Sequence, residues 1–126
     1  MDKQSVVKRL KDLNVYHLFS YRPEVKVVPN VLPGGEKIEA ATAGISNGKR
    51  WMLVFGKSHV YFIHVHPVNG TLTRKVAYAD LTDYDLRKGL LFGKINLEIS
   101  GETIKVDNVH RRTIGQVQAV LDSYAG

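Results

Sequence analysis

The chain has 126 residues, enough for one domain with a buried core. Its apolar fraction of 44% and charged fraction of 24% are those of an ordinary globular protein. The sequence contains no cysteine, which excludes a disulfide framework, a thiolate metal site and a cysteine nucleophile. The formal net charge of +6 either serves solubility alone or favours acidic partners such as nucleic acid, anionic lipid or an acidic protein face.

No targeting segment is evident in the sequence. Met1–Lys8 lacks the apolar centre of a signal peptide. The longest unbroken apolar run, Trp51–Phe55, is far shorter than a membrane span. Together with the absence of cysteine, this predicts a cytoplasmic protein.

The first quarter of the chain is predicted to be helical. Apolar residues recur near the N-terminus at helical spacing: Val6, Val7, Leu10 and Leu13. A second, short helix is expected to start at Pro23 and to be limited by Pro29. The break at Pro33–Gly35 then separates a helical N-terminal extension, residues 1–32, from a domain at residues 33–126. Because the first helix has no aromatic residue on its apolar face, we expect it to pack on that domain or on a partner subunit rather than on a membrane.

Strand-like segments separated by turns dominate the next eighty residues. They are Lys37–Gly44, Arg50–Phe55, His59–His66, Leu72–Ala79, Tyr84–Leu90, Lys94–Ile99 and Glu102–Asp107. Asn47-Gly48 is typical of a tight hairpin turn between the first two. This regular spacing favours an antiparallel sandwich or barrel.

The chain ends in an amphipathic helix, predicted over residues 109–124. Its apolar stripe consists of Ile114, Val117, Leu121 and Tyr124. Asp107 or Asn108 is expected to cap its start. The predicted fold is therefore mainly β: a seven-stranded antiparallel barrel or sandwich capped by a C-terminal helix.

Four segments carry a resemblance to a known family: Arg22–Leu32, Leu32–Ile38, Val76–Thr82 and Lys88–Ile95. They resemble four features of the bacterial pleckstrin-homology-like (PH-like) domains: a short helix before the barrel, a Glu-Lys-Ile entry, a strand with Tyr and Asp, and a strand pair bracketed by glycines. The order of seven strands and one helix also resembles that family, over about residues 24–124. The chain departs from it at Gly56–Val60, where the family usually has Thr-Asp-x-Arg.

The resemblance implies a PH-like barrel of bacterial or phage cytosolic origin. It also implies a function that is mostly unassigned in the family, and occurrence either as a module joined to other small domains or as an oligomer. The family supplies no catalytic residues.

Two groups of side chains carry metal-binding residue types. His64 and His66 share one face of a strand, but no third ligand stands at a recognisable spacing. Asp80, Asp83 and Asp85 fall in a turn-rich stretch, where aspartate commonly serves the backbone. We predict no metal site and no other cofactor.

Motifs of nucleophilic and phosphate chemistry are missing from the sequence. It contains neither Gly-x-Ser-x-Gly nor a phosphate-binding loop. We therefore do not expect an enzyme, and no small-molecule substrate is indicated.

Five basic residues form the candidate anion-binding or partner-binding set. Lys49 and Arg50 follow the first hairpin turn, the region in which lipid-binding PH domains grip phosphoinositide head groups. His110, Arg111 and Arg112 stand at the predicted start of the last helix, where the helix dipole disfavours cations. Exposed amides and two guanidinium groups would bind a phosphate or carboxylate there. The alternative is a helix that starts a few residues away.

The sequence thus favours a non-enzymatic binding or assembly module. Protein–protein contacts or self-association, through the N-terminal helices or an exposed sheet edge, are the expected mode of action. The alternative is an anion-binding module that recognises acidic lipid head groups or nucleic acid through its basic turns.

Overall fold

The computed structural model describes residues 1–125. The helices are α1 (Lys3–Asp12), α2 (Glu24–Val31) and α3 (Arg111–Ala125). The strands are β1 (Ala40–Ser46), β2 (Lys49–Phe55), β3 (His59–His66), β4 (Gly70–Ala77), β5 (Leu81–Lys88), β6 (Phe92–Ile99) and β7 (Glu102–His110). Short 3-10 turns lie at Tyr16–Leu18 and Tyr78–Asp80.

All seven strands pair antiparallel in one sheet with the order β4-β3-β2-β1-β7-β6-β5. The mainly β fold of seven antiparallel strands followed by a C-terminal helix is confirmed. The sheet is open, however, and a closed barrel is not formed, because β4 and β5 are its two edges rather than neighbours.

The predicted strands are all present, and β3 has the predicted limits. The largest correction concerns β7, which continues to His110, so that α3 begins only at Arg111. Asp107 and Asn108 therefore do not cap α3 but lie in β7. The pairing of β6 with β7 shifts register in this region, and Asn108 adopts a left-handed φ of 54°, which asparagine tolerates better than most residues.

Strands β1–β3 bury apolar side chains on both faces, which gives the molecule two cores. The inner core lies between the sheet and α3 and includes Leu53, Phe55, Leu97, Val106, Val117 and Leu121. The outer core lies under α1 and α2 and includes Val6, Leu10, Phe19, Val28, Met52 and Ile63. Each such side chain contributes roughly 1.5–3 kcal/mol by leaving water.

The apolar face of α1 thus packs on the sheet, as predicted. The division of the chain into residues 1–32 and 33–126 stays a prediction, although α1 and α2 share the outer core with β1–β3.

A close approach of β1 to β7 joins the two halves of the sheet. A Cβ at Gly44 would lie 2.5 Å from Val106 Cγ1 and 2.8 Å from the carbonyl oxygen of Asp107. Only glycine fits without a shift of the backbone or of Val106.

Polar contacts fix α3 against its surroundings. The hydroxyls of Thr42 on β1 and Thr113 on α3 are buried and 2.6 Å apart. Tyr84 on β5 donates from its hydroxyl to Asp122 Oδ1 at 2.6 Å. Within residues 1–125, no helix is both long enough and apolar enough to cross a membrane.

Candidate binding surfaces

A cleft lies between the β1–β2 hairpin, where the sequence predicts anion binding, and β7. It has a volume of about 360 Å³. Trp51 stands at its wall and donates from Nε1 to the carbonyl oxygen of Ser46 at 3.1 Å. Arg74 and Glu102 form a two-bond ion pair across it, with both N–O distances 2.7 Å. This pair lowers the pKa of Glu102 and raises the pKa of Arg74, so the one arginine in the cleft already holds a carboxylate.

The structure does not bring Lys49 and Arg50 together. Neighbouring residues of a strand point to opposite faces, and Arg50 lies on the outer face, where its Nη2 donates to the carbonyl oxygen of Leu18 at 3.3 Å. Burial, followed by the charge of Arg22, lowers the pKa of Arg50. Lys49 is exposed at the hairpin. Arg50 therefore fastens the N-terminal segment to β2. Anion binding by Lys49 and Arg50 stays a prediction.

The three basic residues near the start of α3 point in different directions. His110 is the last residue of β7, and its Nδ1 accepts a hydrogen bond from the backbone N–H of Arg112 at 3.4 Å. Its ring meets that of His17 edge-on, with the centroids 6.2 Å apart. Arg111 instead donates from Nη1 to the carbonyl oxygen of Leu90, in the β5–β6 connection, at 3.2 Å. Of the three basic residues, only Arg111 and Arg112 lie in the first turn of α3. Anion binding by the three residues stays a prediction.

The histidine pair serves the backbone. His64 Nδ1 lies 2.8 Å from the carbonyl oxygen of Arg50, and His66 Nδ1 accepts from the backbone N–H groups of Val68 and Asn69. The two rings are 6.5 Å apart. Among residues 1–125, no three His, Cys, Asp or Glu side chains are grouped so that they could hold a metal ion.

The aspartates of the β4–β5 region also make local contacts. Asp83 Oδ1 accepts from the backbone N–H of Tyr84 at 2.8 Å, but Asp83 and Asp85 lie in β5 rather than in the predicted turn. Of the three aspartates, Asp80 alone lies in a short 3-10 turn. Asp85 pairs with Arg87 at 2.9 Å.

One polar cluster that sequence reasoning missed joins two of the family-like segments to the turn at Gly56–Val60, where the chain departs from the family. Glu36 accepts hydrogen bonds from the Lys57 backbone N–H at 3.1 Å and from the Tyr61 hydroxyl at 2.8 Å. Tyr78 donates from its hydroxyl to the carbonyl oxygen of Gly56 at 2.7 Å. These bonds fix the β2–β3 turn, which borders an open groove of about 1120 Å³ beside α3. The family-like segments contain Glu36 and Tyr78, but only the fold shows which residues these two side chains contact.

The two edges of the sheet differ in accessibility and regularity. The pairing of β4 with β3 is continuous from Ala77 to Gly70, and the first six residues of β4 are exposed. The pairing of β5 is interrupted by a register shift between Leu81 and Asp83, which is one way in which natural edges avoid pairing.

The family assignment rests on comparisons with known proteins. A family model described as "Bacterial PH domain" matches residues 32–122, and the chain belongs to this family. No curated protein sequence matches the chain.

Solved structures share the fold at low sequence identity. A DUF1696-family protein with a pleckstrin-homology domain from Shewanella loihica is 16% identical, with a TM-score of 0.54 over 90% of this chain and 97% of that one. A pleckstrin homology domain from Shewanella amazonensis is 18% identical, with a TM-score of 0.55 over 86% of this chain and 96% of that one. The C-terminal domain of an unknown protein from Leishmania infantum is 16% identical, with a TM-score of 0.58 over 80% of this chain and 94% of that one.

Proposed function

We propose that this PH-like domain is a non-enzymatic assembly module that self-associates through the edge strand β4. The observation that supports the proposal is the open, regular β4 edge: six exposed residues in a row and no register shift against β3. An edge of this kind presents unpaired N–H and C=O groups to another strand.

The parity of β4 indicates which backbone groups are free. The β3–β4 register, extended by one residue pair beyond His59 and Ala77, puts Tyr78 opposite Ser58. The backbone N–H of Tyr78 donates to the carbonyl oxygen of Ser58. In an antiparallel pair, alternate residues face the partner strand. Counting back from Tyr78, the backbone groups of Thr71, Thr73 and Lys75 therefore point away from β3.

The strand best suited to pair with this edge is β4 of a second copy of the chain. A twofold antiparallel pairing centred on Thr73 places Lys75 of one copy opposite Thr71 of the other, and Arg74 opposite Leu72. No two cations then stand directly opposite each other, and three outward residues of each strand bond to the other copy.

Sedimentation equilibrium over a protein concentration series at high salt tests this proposal. We expect a concentration-dependent dimer for the wild type. Thr73→Pro removes one outward N–H without removing a β3 bond and should give a monomer. Thr73→Val keeps the N–H and the branched shape, and should still associate.

A charge exchange tests the register without touching the backbone. Thr71→Lys would place two lysines opposite each other and should weaken the dimer. The further change Lys75→Glu should restore it, because each lysine would then face a glutamate. A wild type that stays monomeric throughout, or a Thr71→Lys variant that associates like the wild type, would refute the proposal.

A further inference from the structure

The tip of the β5–β6 hairpin presents three consecutive exposed apolar side chains, the last of which is the first residue of β6. Leu90 is 88% exposed, Leu91 74% and Phe92 53%. Other large apolar side chains exposed in residues 1–125 stand alone in the sequence, such as Val68 in the β3–β4 turn. Contiguous exposed apolar surface of this kind marks an interaction site more often than a single exposed residue does.

This apolar tip, Leu90–Phe92, is held in a fixed shape. Gly89 donates its backbone N–H to the carbonyl oxygen of Phe92 at 2.9 Å, and a Cβ at Gly89 would lie 2.4 Å from that oxygen. Arg111 donates to the carbonyl oxygen of Leu90. The tip therefore projects from the sheet without a large ordering cost on binding.

Cations surround the base of the tip on both faces of the hairpin. On the face toward α3, Lys88 pairs with Gly93, and its Nζ lies beside Gly115, 3.9 Å from where a Cβ would stand. On the other face, Arg87 stands opposite Lys94. Arg111 adds a fourth cation. We call these four residues the basic collar: Arg87, Lys88, Lys94 and Arg111.

Half of the positive charge of the collar is not neutralised. Asp85 pairs with Arg87, and Asp107 Oδ1 lies 4.0 Å from Lys94 Nζ. Within residues 1–125, neither Lys88 nor Arg111 has a carboxylate within 4.0 Å.

We propose that the tip and its collar dock the protein on an anionic lipid bilayer. The tip would enter the region between head groups and acyl chains, while Arg87, Lys88, Lys94 and Arg111 contact lipid phosphates. A ring of cations on both faces of a projecting apolar tip complements a negatively charged plane with an apolar interior. Nucleic acid fits less well, because base stacking uses aromatic side chains, and two of the three tip residues are aliphatic.

Co-sedimentation with vesicles tests the docking surface. We expect salt-sensitive binding to vesicles of phosphatidylcholine and phosphatidylglycerol, and little binding to phosphatidylcholine alone. Leu90→Asp/Leu91→Asp should weaken binding by about tenfold or more, since two buried leucines are lost and two anions added. Val68→Asp is the control, because it replaces a similarly exposed apolar side chain away from the tip. It should reduce vesicle binding by a few-fold at most, which is the effect of one added negative charge.

A fluorescent label distinguishes insertion from attraction by charge alone. Because the chain has no cysteine, Leu91→Cys and Val68→Cys each give a single labelling site. A polarity-sensitive dye at position 91 should shift to the blue with anionic vesicles, whereas the same dye at position 68 should not.

Several outcomes would overturn the inference. They are equal vesicle binding by the wild type and the Leu90→Asp/Leu91→Asp variant, the same blue shift at positions 91 and 68, and preference of the wild type for a single-stranded oligonucleotide over the vesicles.

Discussion

Arg111, at the start of α3, donates a hydrogen bond from Nη1 to the carbonyl oxygen of Leu90 at the tip of the β5–β6 hairpin. Arg112, the next residue, faces the segment that follows α1 and lines a small cleft there with Leu13 and His17. Two adjacent cations of a helix start thus serve different surfaces.

Because Arg111 and Arg112 face different surfaces, replacing each by alanine should affect vesicle binding differently. Arg111→Ala should weaken binding to phosphatidylglycerol-containing vesicles by about fivefold, the effect of one cation at a membrane surface. Arg112→Ala should have a clearly smaller effect, because its side chain lies away from the tip. Equal losses in vesicle titrations would show that only net charge matters.

Opposite salt dependences are expected for the two proposed interactions. Self-association brings together two chains of net charge +6, so added salt should strengthen it by screening their repulsion. Vesicle binding depends on attraction to anionic lipid, so salt should weaken it. Sedimentation and vesicle titration at the same two salt concentrations check this. A parallel response would mean that one of the two surfaces is assigned incorrectly.

The buried threonine pair predicts an asymmetric loss of stability. Thr113 Oγ1 donates to the carbonyl oxygen of His110 at 2.7 Å, so in its 2.6 Å contact with Thr42 it is the acceptor. Thr42→Val leaves Thr113 with a partner and should lower the free energy of unfolding by about 1 kcal/mol. Thr113→Val leaves the buried Thr42 hydroxyl without its acceptor, and should cost about 1–3 kcal/mol.

Urea unfolding of both variants and of the double variant measures this difference. The double loss should be smaller than the sum of the two single losses, because both remove the same bond. Equal single losses, or full additivity, would contradict the donor assignment.

Tyr61 predicts a loss of stability in alkali. Its burial, followed by its hydrogen bond to Glu36, raises the pKa of Tyr61 in the folded protein above the unfolded value of about 10. A raised pKa favours the neutral form in the folded state. The stabilisation from this group is therefore complete below about pH 10 and is lost as the pH rises toward the folded pKa.

Tyr61→Phe isolates this contribution. Below about pH 10 the variant should be less stable than the wild type by about 1 kcal/mol, the worth of one hydrogen bond. The difference in the free energy of unfolding should narrow as the pH rises further. Above about pH 10, ionisation of Tyr61 stabilises the unfolded wild type, and the variant has no such group. Unfolding curves with a constant difference across this range would contradict the prediction.

Much of the fold could be predicted from local patterns. The limits of β3 followed from a run of apolar residues between turns, and the outer core was indicated by the spacing of Val6 and Leu10. The end of β7 could not be found in this way. A bulge at Asn108 extends β7 to His110, and a bulge depends on the partner strand rather than on the strand's own sequence.

The binding surfaces were harder to predict, for three physical reasons. The predicted strand begins at Arg50, whereas β2 begins at Lys49, so strand alternation puts these two neighbours on opposite faces. The sequence pattern predicts Leu90 at the end of a strand, whereas Gly89 closes the hairpin turn and exposes the residues that follow. The edge position of β4 depends on the order of strands in the sheet, which distant pairings decide.

Hydrogen exchange of the β4 amides as a function of protein concentration tests the proposed assembly most directly. At high salt, the amides of Thr71, Thr73 and Lys75 should exchange more slowly as the concentration rises, because the second copy accepts hydrogen bonds from them. Amides of the other edge strand, β5, should not change, and Thr73→Pro should restore fast exchange of the Thr71 and Lys75 amides. Exchange rates of these three amides that are independent of concentration would contradict self-association through β4.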